Sequence, residues 1–597
     1  MDELKTRDQI DEQFKWDLTK IFESDEKWAE EYDSFCKDFT KLSDYEGKLG
    51  ESAKTLYDFT KLKYDLIHRL ELIYVYASLK FSQDTTDTKS QELIDKAQTA
   101  EIKFSTSLAF ESPEILKLGR KKIEDFIAEE KGLEEYRKTF EDILRYEAHT
   151  LSEKEEALLS KAGDLYSTPD DIYQMFSYAD LKFDSVADKD GKMHPLSPGV
   201  FTKLLASDDE VLRKNTFNTY YDNYADHINM LAATLKAAVK KNIFRAEVRN
   251  FKSAREAALF ANAVDEKIYD NLIESVHDKI HYLHRYMKLR KKYMGLKEQH
   301  MYDIYMPMLC SLKFEIDYPE ATEIIKEAIA PLGKEYQEIA YKGYHSRWVD
   351  VYETKGKRGG AFSSGVKGTY PYILLNHNKS VDSLFTCCHE MGHSMHSYLT
   401  NTTQPIQYAN YSIFLAEIAS TMNETLLTHY MIDNAKTKEE KLYFIDNYLE
   451  SFRTTLYRQA MFAEFENIIH KYAQEGGTIN ADFLNKTYYD LNKFYYGDDV
   501  VVDEKIKYEW ARIPHFYYNF YVFQYSTGIS CATEFARKVL SKEEGAVEKY
   551  LGFLSKGSSE YPIDILKEAG VDMTTKDPIL NSLDTFNEFM DKFEELM

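Results

Sequence analysis

The stretch CCHEMGHSMHSYLT, residues 387–400, gathers three histidines, one glutamate and two cysteines within about four helical turns. On a helix each residue turns the side-chain direction by about 100°, so His389 and His393 stand one turn apart on the same face. Both imidazoles then reach one metal ion. Glu390 lies about 100° around from His389, close enough to take a proton from a water at that ion without ligating it. The chemistry on offer is metal-assisted hydrolysis.

A catalytic zinc uses three protein ligands and keeps one position open, so a third ligand is needed. Had the motif continued along its own helix, a glycine would stand three residues after His393 and a histidine three further on. His396 and Leu399 occupy those places. His396 shares the face of His393 but would crowd the ion, and it reads as a group orienting a ligand or as a hydrogen-bonded wall. The third ligand then comes from another helix. FLAEIASTMNETLL, residues 414–427, offers Glu417 and Glu424, seven apart and on one face. Glu417 follows Phe414 and Leu415 on an apolar turn, where an unpaired carboxylate is costly and a metal removes the cost. Glu424 either orients a ligand from behind or forms an exposed ion pair.

These side chains need elements to hold them. Ser380 is placed to cap a helix running through VDSLFTCCHEMGHSMHSYL. Leu384, Cys388, Met391, Met395 and Tyr398 form its core side, with His389, His393 and His396 roughly opposite. Before it, GKRGGAFSSGVKGTYPYILLN, residues 356–376, is glycine-rich and then apolar. Gly360 and Gly365 have phosphate-loop spacing, but Val366 stands where that loop needs lysine. TYPYILLN reads as a short strand that Pro371 confines to a sheet edge, and an edge strand can pair with an extended peptide.

Most of the remaining chain shows helical periodicity, over 56–83, 90–108, 208–246, 265–294 and 439–474, and its 12 prolines cluster at joints. LKFDSVADKDGKMHPLSPG, residues 181–199, reads as a hairpin turning at Asp190-Gly191. It is no calcium loop, because Val186 and Ser197 stand where carboxylates are required. A boundary is expected just after it, giving an N-terminal helical domain over 1–199 and a catalytic domain over 200–597.

Composition narrows the partners. With 76 basic and 101 acidic residues, the net charge of −25 repels phosphate backbones and disfavours nucleic acid and anionic membrane. Residues 513–533 lack any Lys, Arg, Asp or Glu for 21 positions, a bilayer-spanning length. Pro514, His515, Asn519, Gln524 and four tyrosines make that segment too polar for lipid, so a buried segment lined with hydroxyls is expected. Five scattered cysteines, Cys36, Cys310, Cys387, Cys388 and Cys531, make no disulfide framework and suit a reducing, cytoplasmic compartment. The charged N-terminus has no secretory pattern.

With these residues assembled, the chain resembles oligoendopeptidase F, a bacterial branch of the thimet-type oligopeptidase family of zinc peptidases. The gap from His389 to Glu417 matches that family, as do Ser420 three and Glu424 seven residues after Glu417. The likeness spans nearly the whole chain, from KWDLTKIF through GKRGGAF, YPYILLN and YRQAMFAEFE to AGVDM. Cys387 and Cys388 depart from the small or aliphatic residues of many relatives; they read as small core fillers, with oxidation of a thiol beside a metal site as the second reading. The resemblance implies a large, mainly α, zincin-like fold with a deep substrate channel and a small sheet beside the zinc helix. It implies one zinc ion per chain on His389, His393 and Glu417, with Glu390 activating a zinc-bound water. It also implies that His515, Tyr521 and Tyr525, in HFYYNFYVFQYSTG, point at the reacting carbonyl, with Tyr525 foremost. The substrates implied are short unfolded peptides cut at internal bonds in the cytosol. A metallo-carboxypeptidase on a related scaffold, or an inactive metal-binding homologue, is the alternative.

Overall fold

A computed structural model describes residues 4–309, 312 and 314–597. Helices account for 71% of the chain and strands for 2%, so the expected mainly α class holds. The chain folds as two units that alternate along the sequence. One comprises Met1–Ala148, Phe314–Tyr430 and Phe535–Gly570, the other His149–Lys313, Met431–Glu534 and Val571–Met597. The boundary expected near residue 200 falls inside the second unit.

The first unit is built on long capped helices. Ser52 accepts the Thr55 N–H to start the helix Ala53–Gln83, and Asp87 accepts the Ser90 N–H to start Thr88–Ser107. Their apolar faces, with Trp16, Trp28 and Phe35, enclose a core that also takes in Tyr372 and Leu374. Those two residues belong to the small sheet, whose strands are β3 (Val349–Asp350), β4 (Phe362–Ser364) and β5 (Tyr372–Leu374), in the order β3-β5-β4. Strand alternation sends Tyr372, Leu374 and the paired Phe362 to this core. Ser363 faces the other way, where its hydroxyl lies 2.8 Å from Ser394 Oγ on the helix carrying the metal motif. The sheet therefore lies between the N-terminal core and that helix.

One expectation is corrected here. TYPYILLN does form a strand, but β5 is central, pairing in parallel with β3 and antiparallel with β4. Pro371 lies just before the first paired residue, so its missing N–H costs the ladder nothing. Among the described residues, the strands with an unpaired side are β3 and β4, the latter from GGAFSS.

In the second unit the expected hairpin forms. Strands β1 (Val186–Ala187) and β2 (Met193–His194) pair antiparallel around Asp190-Gly191, with Gly191 at φ 79°. The run expected over 208–246 is two helices, Glu210–Ala225 and Ile228–Val248, broken at His227 with φ −116° and ψ 10°. Lys279 breaks 265–294 in the same way, into Glu266–Asp278 and Ile280–Tyr293. The stretch over 439–474 stays helical but passes through a π turn at Phe452–Tyr457. No described helix is long and apolar enough to cross a membrane. The uncharged segment instead enters the helix Phe523–Leu540, where the Ser526 and Ser530 hydroxyls donate to the Leu456 and Ser526 carbonyls. Cys36, Cys387, Cys388 and Cys531 are free thiols, and Cys310 lies outside the described residues.

Candidate metal centre

The motif helix runs over Val381–Thr403 and starts where Ser380 accepts the Ser383 N–H, as expected. Leu384, Cys388, Met391 and Met395 are buried on its core side. The second helix, Ile413–Asp433, carries Glu417 and buries Phe414, Leu415, Ile418 and Met422. The two rods touch at Gly392. A Cβ there would lie 2.6 Å from the Ala419 carbonyl oxygen and 2.7 Å from Ser420 Cα, so only glycine permits this approach. The contact brings Glu417 within reach of both histidines.

Glu417 Oε2 lies 3.5 Å from His389 Nε2 and 3.6 Å from His393 Nε2. These separations are too long for good hydrogen bonds. They match the edge of about 3.4 Å in a tetrahedron whose ligand bonds are about 2.1 Å. Among the described residues, His389, His393 and Glu417 are the one group of three whose ligand atoms converge, all within 4.8 Å of one another. Two imidazoles and a carboxylate are also the donor types that suit zinc. The residues present fit the ion. The Glu417 side chain is 40% exposed, so the cluster opens on one side as a catalytic site requires. That exposure also means the convergence of donors, rather than burial of the carboxylate, is what calls for a cation.

Each ligand is held from behind. Glu424 Oε1 lies 3.2 Å from His389 Nδ1, which leaves Nε2 to face Glu417. The backbone of Ala416 bonds the ring of His393. Ser420 Oγ donates to Glu417 Oε2 at 3.0 Å. Glu390 is buried, and its Oε2 has no hydrogen-bond partner.

The charges fit this crowding. Burial would depress the His389 pKa, but Glu424 and Glu417 outweigh it and raise it to about 9. Burial and the neighbouring His389 push His393 down to about 4. Burial raises Glu390 to about 7 against the pull of His389.

His396 differs from expectation. It is fully buried, makes no hydrogen bond at either ring nitrogen, and stacks on Tyr411 at 3.6 Å between centroids. Burial pushes its pKa to about 3. It is a wall by stacking, not by hydrogen bonding. Tyr411 in turn bonds Ser397 Oγ at 2.9 Å, which ties the segment before the second helix to the motif helix. Cys387 and Cys388 are fully buried, and burial raises the Cys387 thiol to about 12, so neither has the exposed thiolate that oxidation needs.

His515, Tyr521 and Tyr525 lie in the second unit, where they come together. Tyr525 Oη is 3.4 Å from His515 Nε2, and the Tyr521 ring centroid is 6.2 Å from that of His515 and 5.6 Å from that of Tyr525. Tyr518, also 5.6 Å from His515 by centroid, joins the group.

Gly392, Ser420 and Tyr411 as supports of the ligands were not evident from the sequence. Ser420 carried a usable signal, three residues after Glu417 on the same helix. Gly392 acts through a contact between two helices and Tyr411 through one between a loop and the motif helix, which spacing does not encode.

Comparison with known proteins identifies the family. The model of peptidase family M3 matches residues 203–585, and an oligopeptidase F model matches 114–183. The oligopeptidase PepF of Bacillus subtilis is 44% identical over 595 residues, covering 100% of this chain and 89% of its own. An oligoendopeptidase F homologue of Lactococcus lactis is 39% identical over 594 residues, covering 99% of each. The solved oligoendopeptidase F of Enterococcus faecium is similar at a TM-score of 0.74 and 36% identity, covering 96% of this chain and 99% of its own. The chain belongs to peptidase family M3, in its oligoendopeptidase F branch.

Proposed function

We propose that this peptidase is a zinc-dependent oligoendopeptidase that cuts internal bonds of short, unfolded peptides in the cytosol. The observation that carries the reading is one carboxylate oxygen set evenly between two imidazole nitrogens, with the buried Glu390 next to His389 in the chain. His389, His393 and Glu417 would hold the ion. When bound, zinc supplies Lewis acidity that makes water a better nucleophile near neutral pH and polarises a carbonyl.

The remaining work falls to side chains. Glu390 accepts a proton as water adds to the scissile carbonyl carbon, keeps it on Oε2, and delivers it to the amine nitrogen as the C–N bond breaks. Tyr525, with Tyr521 and His515, donates to the carbonyl oxygen as negative charge builds there. The unpaired side of β4, rather than the central strand of TYPYILLN, aligns the peptide by backbone hydrogen bonds.

The test combines metal removal with product analysis. Chelation should abolish cleavage of a short quenched peptide, and zinc should restore it. Mass spectrometry should show internal cuts in a peptide whose C-terminus is blocked, and a folded protein containing the same segment should resist. Activity that survives complete metal removal refutes the reading. Cleavage that demands a free C-terminus would point to a carboxypeptidase.

A further inference from the structure

The chain reversal between His515 and Tyr525 is built without glycine. Asn519 and Phe520 both adopt left-handed backbone, with φ of 55° and 57°. Asparagine tolerates that region, but phenylalanine rarely enters it, so two in succession need outside support. The Phe520 ring is buried between Tyr269 and His470, at 5.8 and 4.6 Å between centroids. Its N–H would be a buried donor with no partner in the turn itself.

The partner is Glu466, the last residue of YRQAMFAEFE, on the helix Arg458–Gln474. Its Oε1 accepts the Phe520 N–H at 2.6 Å, while its Oε2 is buried and bonds nothing. The side chain is fully buried, and burial raises its pKa to about 8. A buried carboxyl with one bond is a poor stability device, since an apolar side chain of the same shape would avoid the desolvation cost. Its position has another use. The reversal at residues 519–520 places His515 and Tyr518 from one limb against Tyr521 and Tyr525 from the other.

We propose that Glu466 is a positioning residue, whose carboxyl fixes the left-handed turn at Asn519-Phe520 and thereby sets the His515, Tyr521 and Tyr525 donor group. The catalytic half of this inference rests on the donor role proposed above.

The test uses the full-length, zinc-loaded enzyme and three variants. Glu466→Met keeps the shape and removes the acceptor; Glu466→Gln keeps both shape and acceptor; Tyr525→Phe removes a donor. Hydrogen exchange by mass spectrometry should quicken about tenfold or more across residues 513–525 in Glu466→Met and stay near wild type in Glu466→Gln. For a quenched short peptide, kcat should fall about 10- to 100-fold in Glu466→Met, with KM changed less than about threefold and zinc content unchanged. Glu466→Gln should restore kcat. Should Glu466→Met fail to fold, Glu466→Asp withdraws the carboxyl by one methylene and is expected to act in the same direction.

Unchanged exchange over 513–525 would overturn the inference. So would faster exchange with wild-type kcat, provided Tyr525→Phe does lower kcat. If neither Tyr525→Phe nor Glu466→Met lowers kcat, the donor role itself has failed, and the catalytic part of the inference falls with it.

Discussion

Gly392→Ala puts the packing of the two helices that carry the candidate ligands to the test. The added methyl would lie 2.6 Å from the Ala419 oxygen, 2.7 Å from Ser420 Cα and 2.9 Å from the Ala419 carbonyl carbon. Ordinary contact begins at 3.4 Å, so the helices must part by roughly 0.8 Å at this point. All three obstacles are backbone, so no rotamer change relieves them. Overpacking of this kind costs about 1–3 kcal/mol. Alanine's better helix propensity returns about 1 kcal/mol, which leaves a net stability change too small to discriminate.

Metal affinity discriminates better. The displacement carries Glu417 away from two nitrogens that it already meets at 3.5 and 3.6 Å, and ligand positions tolerate only about 0.2 Å. Zinc affinity, measured by competition with a chromophoric chelator, should fall about 10- to 100-fold. Affinity within about twofold of wild type would refute the argument that Gly392 sets the ligand spacing.

Three further outcomes are expected. Glu390→Gln should keep its zinc, while kcat for a short peptide falls about 10²- to 10⁴-fold, read from metal analysis and steady-state kinetics on one preparation. Glu424→Ala frees the Nδ1 side of His389 and should weaken zinc binding about 10- to 100-fold in the same chelator competition. Glu509 sets an acid limit on stability: burial alone would raise its pKa, but Arg458 and Arg512 outweigh it and hold it at about 2. Because the folded pKa is below the unfolded one, this stabilisation is complete above about pH 4.5 and is lost as pH falls toward 2. Denaturant unfolding of zinc-free protein should show that slope, and Glu509→Gln should flatten it.

Much of the centre could be read from the sequence because its logic is local. Two histidines four apart declare a shared face, and the need for a third donor directs attention to Glu417. What resisted reading depends on contacts distant in sequence. Sheet order is such a contact: Pro371 excludes a residue from the ladder only at its own position, and it says nothing about what pairs on either side of Tyr372–Leu374. The short breaks at His227 and Lys279 leave no mark in the sequence because the amphipathic pattern continues across them. The turn at Asn519-Phe520 carries no glycine to announce it, and its support comes from a glutamate 54 positions away. His396 misled in the opposite sense. A polar residue on the ligand face invites a hydrogen bond, but aromatic stacking accounts for it.

Zinc stoichiometry across a ligand series tests the central claim most directly. After exhaustive dialysis, elemental analysis should find about one zinc per chain in the wild type and in Glu390→Gln, and far less in Glu417→Ala and His393→Ala. A wild-type chain that holds no metal, or a Glu417→Ala chain that keeps its full complement, would contradict it.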